Sequence, residues 1–512
     1  MKKYILILLI AICFNDVVKA NALTITTPIY NDGNKTITFN ISWENSWKLS
    51  SGPSNWDGVW VFIKRQACSN TNIWATALVS TTSGDHASSV ASGTNLLSVD
   101  AVSDGMGVFI RRTYSGMGNI GTHTITLKLN GSMTTSPAIT PSASDNFKIF
   151  GLEMVYVPQG QFYLGDGRQS NSHNFSAGNN AGTPLLITAA LQAAGLGAAT
   201  NYTSNPMYGC PNYLPASFPL GYNGFWCMKY ETTVVNYVDF LNCLTYDQQA
   251  VRLAKWGQRY PNSVNSNFTN SQSWRTDIHT SVAGTYNTIP ATFTYNTTYE
   301  TYSVLGYMSW LDLTSYLDWS GLRPMNDFEY EKACRGPLNP IPNEYPWGNT
   351  SITQATGQPT NFGTPQERAN QSGEGICLYQ WNDENRAPYR PGIFATQTTT
   401  RSQCGATYYG IMEMGGNVSE QVVGGGSGYD YSNFTTANGD GILGADGNAN
   451  TPGWPTGIGA NTGNYLKGGD YYGLGSYPSV IQVSDRQLYG GNSWNNGQYD
   501  ATGGRGIRSF SY

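Results

Sequence analysis

The sequence predicts an α+β protein in two parts: an N-terminal β-sandwich, then a larger, mostly irregular domain with a few short helices. Three observations predict it. Residues 21–149 carry short runs of alternating apolar residues separated by polar turns. Three helix-start signatures follow, at Thr233, Ser309 and Asn326. Beyond Pro337 the chain is dominated by Gly, Asn and aromatic residues, which implies long loops and short strands.

The first element is a leader. Lys2 and Lys3 precede an apolar run, Tyr4–Phe14, and Val18-Lys19-Ala20 offers a small-residue cleavage site. Residues 1–20 therefore read as a secretory signal peptide cleaved after Ala20. The run is too short to span a bilayer comfortably. Acylation at Cys13 is the alternative, ranked second because Ile12 before it is bulky. No later segment is long and apolar enough to be a transmembrane span. The expected location is secreted, periplasmic or at the cell surface.

The sandwich follows. In Thr36–Trp43, residues Ile37, Phe39, Ile41 and Trp43 fall on one face. Gly58–Arg65, Gly107–Tyr114 and His123–Asn130 are similar runs, and Asp32-Gly33 and Asn130-Gly131 are turn signals. Several short strands with polar turns fit a β-sandwich. Nothing in this part carries recognisable chemistry.

A second unit, 150–512, opens with strands at Met154–Pro158 and Phe162–Leu164. Residues 165–219 are polar and Ala/Gly-rich, and read as an insertion. Glu231–Leu244 is a helix with Thr233 as N-cap and Val234, Tyr237, Val238, Leu241 and Leu244 on one face. Ser309 with Asp312 makes a capping box for a helix that buries Trp310, Leu313 and Leu317. Asn326 and Glu329 repeat that chemistry for a helix ending near Cys334.

Composition narrows the function classes. Charged residues are 12% of the chain and the net charge is -5, so no basic stripe is present for nucleic acid. Loss of Cys13 with the leader leaves Cys68, Cys210, Cys227, Cys243, Cys334, Cys377 and Cys404, an odd set in which some pairs are expected in an exported protein. The histidines, His86, His123, His173 and His279, lack metal-ligand spacing and read as surface or satisfied polar residues. The sequons at Asn34 and Asn417 are weak signals in so Asn- and Thr-rich a chain.

Six blocks in order, over residues 150–512, resemble the formylglycine-generating enzyme or sulfatase-modifying factor superfamily. They are Gly151–Gly165, Phe225–Asn242, Met308–Asn349 (with GLRPMNDFEYEKACRG), Gly410–Glu420 (GIMEMGGNVSE), Lys467–Tyr471 (KGGDY) and Gly504–Ser509 (GRGIRS). The resemblance implies a largely irregular, C-type-lectin-related fold. The family's enzymes oxidise a substrate cysteine with a copper ion held by two cysteines, the soft ligands Cu(I) requires. Matching KGGDY to the family places those positions at Gly473 and Pro478, which cannot ligate metal, and no Cys follows Cys404. Copper is therefore not expected. Ser509 stands where the family has a cysteine, so Cys334 lacks the disulfide partner the resemblance implies.

Calcium is the cofactor the resemblance still implies. One family site matches Glu413, Gly416, Val418 and Glu420; two carboxylates with backbone carbonyls suit a hard cation. The alternative is that both glutamates are solvated or paired with arginine. A second, looser match is Asn370 with Gln371, joined by Asp383. The aspartates of Asn438–Asn448 read as an exposed loop. Asp485 and Arg486, with Arg505 and Arg508, are candidates for a cleft that grips a peptide, although buried Arg–Asp pairs fit a scaffold role; Asp470, Tyr471 and Asp485 are the candidates for another chemistry in that cleft. The function expected is a non-catalytic binding or assembly module for a protein or glycan at the cell surface, as in bacterial surface machinery. The alternatives are an oxidase of protein cysteine and another activity in the same cleft.

Overall fold

The computed structural model describes residues 23–130, 141–167, 183–190, 215, 217–253, 278–295, 303–362, 364, 367–380, 387–396, 398–424, 431–457, 463–472, 477–486 and 501–510. The N-terminal part supplies β1 (Thr24–Ile25), β2 (Ile29–Asn31), β3 (Thr36–Lys48), β4 (Asp57–Gln66), β5 (Trp74–Thr76), β6 (Ala87–Ser89), β7 (Leu97–Ala101), β8 (Gly107–Arg112) and β9 (Gly116–Lys128). Then come β10 (Asn146–Val157), β11 (Phe162–Leu164), β12 (Leu185–Ile187), β13 (Phe225–Met228), α1 (Val234–Leu241), α2 (Tyr246–Leu253), β14 (Ile278–Val282), β15 (Thr292–Tyr295), α3 (Trp310–Trp319), β16 (Arg323–Pro324) and α4 (Asp327–Arg335). Short strands complete the chain: β17 (Thr353–Gln354), β18 (Ile376–Cys377), β19 (Ser419–Val423), β20 (Asn464–Lys467), β21 (Thr502–Gly503) and β22 (Gly506–Ser509).

Thirteen of these strands fall in two larger sheets, and the rest pair in smaller ones. One has the order β1-β3-β9-β6, with β2 on β3; the other runs β16-β22-β13-β10-β4-β8-β7, with β5 on β4. In β3 the alternation seen in the sequence buries Ile37, Phe39, Ile41 and Trp43. Those residues share an apolar cluster with Val59, Val61 and Ile63 of β4. The other face of β4 presents Trp60 and Phe62 to a second cluster that holds Trp226, Trp310 and Trp319. Strand β4 is thus covered on both faces, which explains why its sequence reads as a continuous apolar run.

The boundary expected near residue 150 falls inside β10. That strand pairs with β4 from Asn146↔Gln66 to Val155↔Asp57, and with β13 from Met154↔Met228 to Val157↔Phe225. The two parts therefore share one sheet. Of the expected insertion, residues 183–190 include β12, which pairs with β11. Most of the rest, with Gly131 of the second turn, lies outside the described residues.

The caps fall where the sequence places them. Thr233, Ser309 and Asn326 each accept from the third helical residue, and Asn236, Asp312 and Glu329 bond back to the cap. Helix α1 stops at Leu241, three residues early, because Asn242 caps it. Thr245 and Gln248 then form a fourth box that starts α2, a signal the sequence reading passes over. Every residue of α4 is buried, including Asp327, Glu329, Glu331, Lys332 and Arg335, so each charge there needs a partner.

The six described cysteines are unpaired, against the expectation of disulfides; Cys210 lies outside the described residues. Cys227 and Cys334 pack in one apolar cluster with Val155 and Ile507. Burial pushes the Cys227 and Cys243 thiols up to about 12. Among the described residues no helix is long and apolar enough to cross a membrane.

Candidate functional site

Three of the sequence blocks converge at one small sheet. Strand β19 runs antiparallel to β20, with Glu420 opposite Lys467, and parallel to β21, with Glu420 opposite Gly503. Two residues past Gly503, Arg505 reaches Glu420. Its Nε donates to Oε2 at 2.7 Å and one terminal nitrogen to Oε1 at 2.8 Å. The remaining donors go to the carbonyls of Met228 and Lys229, each 3.2 Å, and Glu413, 3.0 Å. All five guanidinium donors are spent. Burial alone would lower the Arg505 pKa, but Glu420, with Cys227 and Glu231 nearby, holds it above the usual arginine value.

Glu231 lies beside this pair. It is fully buried and accepts from the Asn417 amide at 2.7 Å and the Val418 N–H at 3.2 Å. Its carboxyl is pushed well above the ordinary range by burial, which outweighs Arg505. Asn417, read as a sequon, is itself buried and holds the loop: its side-chain oxygen accepts from Tyr389 N at 2.9 Å, and its carbonyl accepts from Tyr471 N. Asn34, the other sequon, is exposed.

Glu413 differs. Its Oε1 accepts from Gly392 N at 2.8 Å, while Oε2 is buried without a hydrogen-bond partner. Burial pushes this carboxyl up to about 7, against the pull of Gly392 N–H, Arg505 and Arg390. It borders a cavity of about 10 Å³, room for a single water-sized particle, together with Cys377, Leu378, Arg390, Cys404 and Asn417. Gly416 has φ +78°, and a Cβ there would meet the Leu378 carbonyl at 2.6 Å. The loop geometry accordingly requires glycine at this position.

These contacts test the fit of a divalent cation. Glu413 has the free, buried oxygen a cation needs. Glu420 does not, because Arg505 holds both of its oxygens. Glu413, Gly416, Val418 and Glu420 thus do not form one cage with two available carboxylates. At the second match, Gln371 bonds Thr356 through both amide atoms at 2.6 Å, and the Asn370 amide donates to the Gln358 carbonyl. Asp383 lies outside the described residues. Among the described residues no group of three or more His, Cys, Asp or Glu is arranged to hold a metal.

The proposed cleft residues are all buried. Asp470 accepts from the Ser419 hydroxyl at 2.6 Å and from Tyr472 N at 2.9 Å. Tyr471 packs with Val418 and Leu378. Arg486 bonds Asp327 at 3.0 Å and Glu331 at 2.7 Å. Asp485 is reached at its carbonyl by Lys467 Nζ, 2.5 Å away. Pro478 opens a short 3-10 helix, Pro478–Ile481, and Gly473 lies outside the described residues. Ser509 accepts from Arg323 Nε at 2.7 Å and donates to the Thr436 carbonyl. Arg323 also grips Glu329 with two bonds, 2.6 and 2.9 Å. Arg508 pairs with Asp104 at 2.5 Å and stacks 4.3 Å from the Trp60 ring, tying the last strand to the N-terminal part.

The histidines are structural where described. His123 Nε2 accepts from Leu96 N, and His86 Nδ1 from Lys128 N. His279 lies in β14, and His173 is outside the described residues. In the Gly/Asp loop, Asp440 and Asp446 each accept from a residue two positions on. Sequence reasoning missed Glu231, Asp327 and Glu331 because nothing in local spacing links them to Arg505 or Arg486.

Comparison with curated proteins gives no match. The family described as sulfatase-modifying factor enzyme 1-like domain matches residues 146–497, more than half of the chain. Its first matched residue coincides with the start of β10, the strand that joins the two parts. With the blocks, caps and small sheet in place, the chain belongs to the sulfatase-modifying factor enzyme 1-like family.

Proposed function

We propose that the chain is an exported member of its family that uses the fold as a binding or assembly module at the cell surface and performs no cysteine oxidation. The observation that carries this reading is how the charged side chains are spent. Arg486 is held by Asp327 and Glu331, Arg505 by Glu420, and Asp470 by Ser419. A group fully engaged in buried bonds holds loops together and is poorly placed to move protons. Gly473 and Pro478, at the positions the family resemblance gives to copper cysteines, support the same reading. The partner in this reading is a protein or glycan, as in bacterial surface assemblies.

Loops with little regular structure need pins. The Arg505 guanidinium supplies one where a cation would otherwise neutralise Glu420. Calcium is proposed as a second, held by Glu413 and the carbonyls of Gly416 and Val418; it would add fixed positive charge beside a buried acid. The test is metal content and oxygen uptake of the purified protein with a cysteine-bearing peptide and added copper. No stoichiometric copper and no turnover are expected; copper with turnover overturns the reading. Melting measured with calcium and with a chelator tests the calcium pin separately.

A further inference from the structure

A second opening borders the Arg505 cluster, sharing Met228 and Glu231 with it. It is a cavity of about 460 Å³, within the roughly 300–1,000 Å³ range of small-molecule sites. It lies over β10, where α1, α3, β1 and β15 approach the sheet. Most of its wall is aromatic or aliphatic, including Phe62, Phe150, Tyr295, Tyr316 and Trp319. Phe62 and Phe150 stack at 5.3 Å, and both meet Trp319 edge-on, so the wall is rigid.

Its polar lining is one-sided. Glu153, Glu231 and Asp239 line it, and no lysine or arginine does among the described residues. Two of the acids are already satisfied: Glu153 pairs with Lys229 at 3.2 Å, and Glu231 is held by Asn417 and Val418. Asp239 has no hydrogen bond or ion pair among the described residues. It follows Val235 by one turn on the face of α1 that lines the cavity. Burial pushes its carboxyl up to about 6, with Lys148 pulling the other way. Lys148 does not close on it: its ammonium bonds the Asn242 carbonyl and sits 4.4 Å from the Trp74 ring.

A half-buried acid with no ion pair among the described residues, set beside aromatic faces, is better off with a cation than without one. The carboxylate supplies the counter-charge, and the ring faces add cation–π attraction. We propose that this cavity binds a small organic amine, an ammonium group on a compact aromatic body, with the Asp239 carboxylate as counter-ion. This goes beyond the binding-module reading and stands without it.

The test is calorimetric titration of the full chain with tryptamine, set against the neutral isostere tryptophol. Saturable binding of tryptamine is expected, with tryptophol at least about tenfold weaker, the loss of one charge-assisted bond. Asp239→Asn lowers tryptamine affinity by a similar factor and leaves tryptophol unchanged. It melts like the parent chain, because Asp239 makes no bond to lose. Val235→Trp fills the cavity from the same helix face and abolishes binding. No saturable binding, equal affinity for the two probes, tryptamine affinity that Asp239→Asn leaves unchanged, or binding that survives Val235→Trp overturns the proposal.

Discussion

The pair Arg505–Glu420 offers the sharpest test of how this fold is held together. The perturbations are Arg505→Met, Glu420→Gln and the double variant. Breaking a buried ion pair from one side costs about 3–5 kcal/mol, because the remaining charge is left without a counter-charge. Arg505→Met belongs at the upper end: it strands Glu420 and also removes the donors to the Met228, Lys229 and Glu413 carbonyls. Glu420→Gln keeps one good acceptor and leaves a guanidinium that still bonds three carbonyls, so about 3 kcal/mol is expected. The double variant buries no unpaired charge and costs no more than Arg505→Met alone. Urea unfolding of the four proteins in calcium-free buffer closes a double-mutant cycle. A coupling above about 2 kcal/mol supports the pin. Single losses below about 1 kcal/mol, or losses that simply add, refute it. They would assign the neutralisation of Glu420 to something other than Arg505.

Two further outcomes follow from the geometry. Burial alone would raise the Glu331 carboxyl, but Arg486 and Arg335 outweigh it and hold it down at about 2, against an ordinary 4.5. A folded value below the unfolded one means stability present above pH 4.5 and lost as pH falls toward 2. The shift corresponds to on the order of 3 kcal/mol at pH 7. Glu331→Gln should cost about that much in urea unfolding at pH 7, with the gap narrowing to less than half by pH 3; a gap that stays constant with pH contradicts the argument. Removing residues 21–145 strips β4 from β10 and uncovers Trp226 and Trp319, which share a cluster with Trp60 and Phe62. That shortened chain should bind a hydrophobic dye and lose its cooperative melt; a sharp transition would show that the second part stands alone.

Much of the local structure was legible because it is written in short spacings. The caps at Thr233, Ser309 and Asn326 need only a residue and its third successor, and the alternation in β3 needs only period two. The same kind of signal at Thr245 and Gln248 was overlooked because Tyr246–Leu253 is short and weakly apolar. The expected domain boundary illustrates the limit. Composition changes near residue 150, but hydrogen bonding does not, and β10 runs through it with partners on both sides.

The candidate site was legible in part. Glu413, Gly416, Val418 and Glu420 came from the family resemblance, and the backbone does bring Gly410–Glu420 to Arg505. Which acid is paired and which is free could not be read from spacing. Glu420 lies 85 positions before Arg505, and Glu231 lies 186 before Asn417. Sequence alone determined alternating strands such as β3, the caps at Thr233, Ser309 and Asn326, the family blocks and the residues at Gly473 and Pro478, because each is local or a matter of identity. Only the tertiary structure decided that Arg505 holds Glu420 and that, among the described residues, Glu413 keeps a free oxygen and Asp239 lines an aromatic cavity without an ion pair. Such pairings depend on which side chains reach each other after the sheet closes, and a buried charge is fixed by that encounter rather than by its neighbours in the chain.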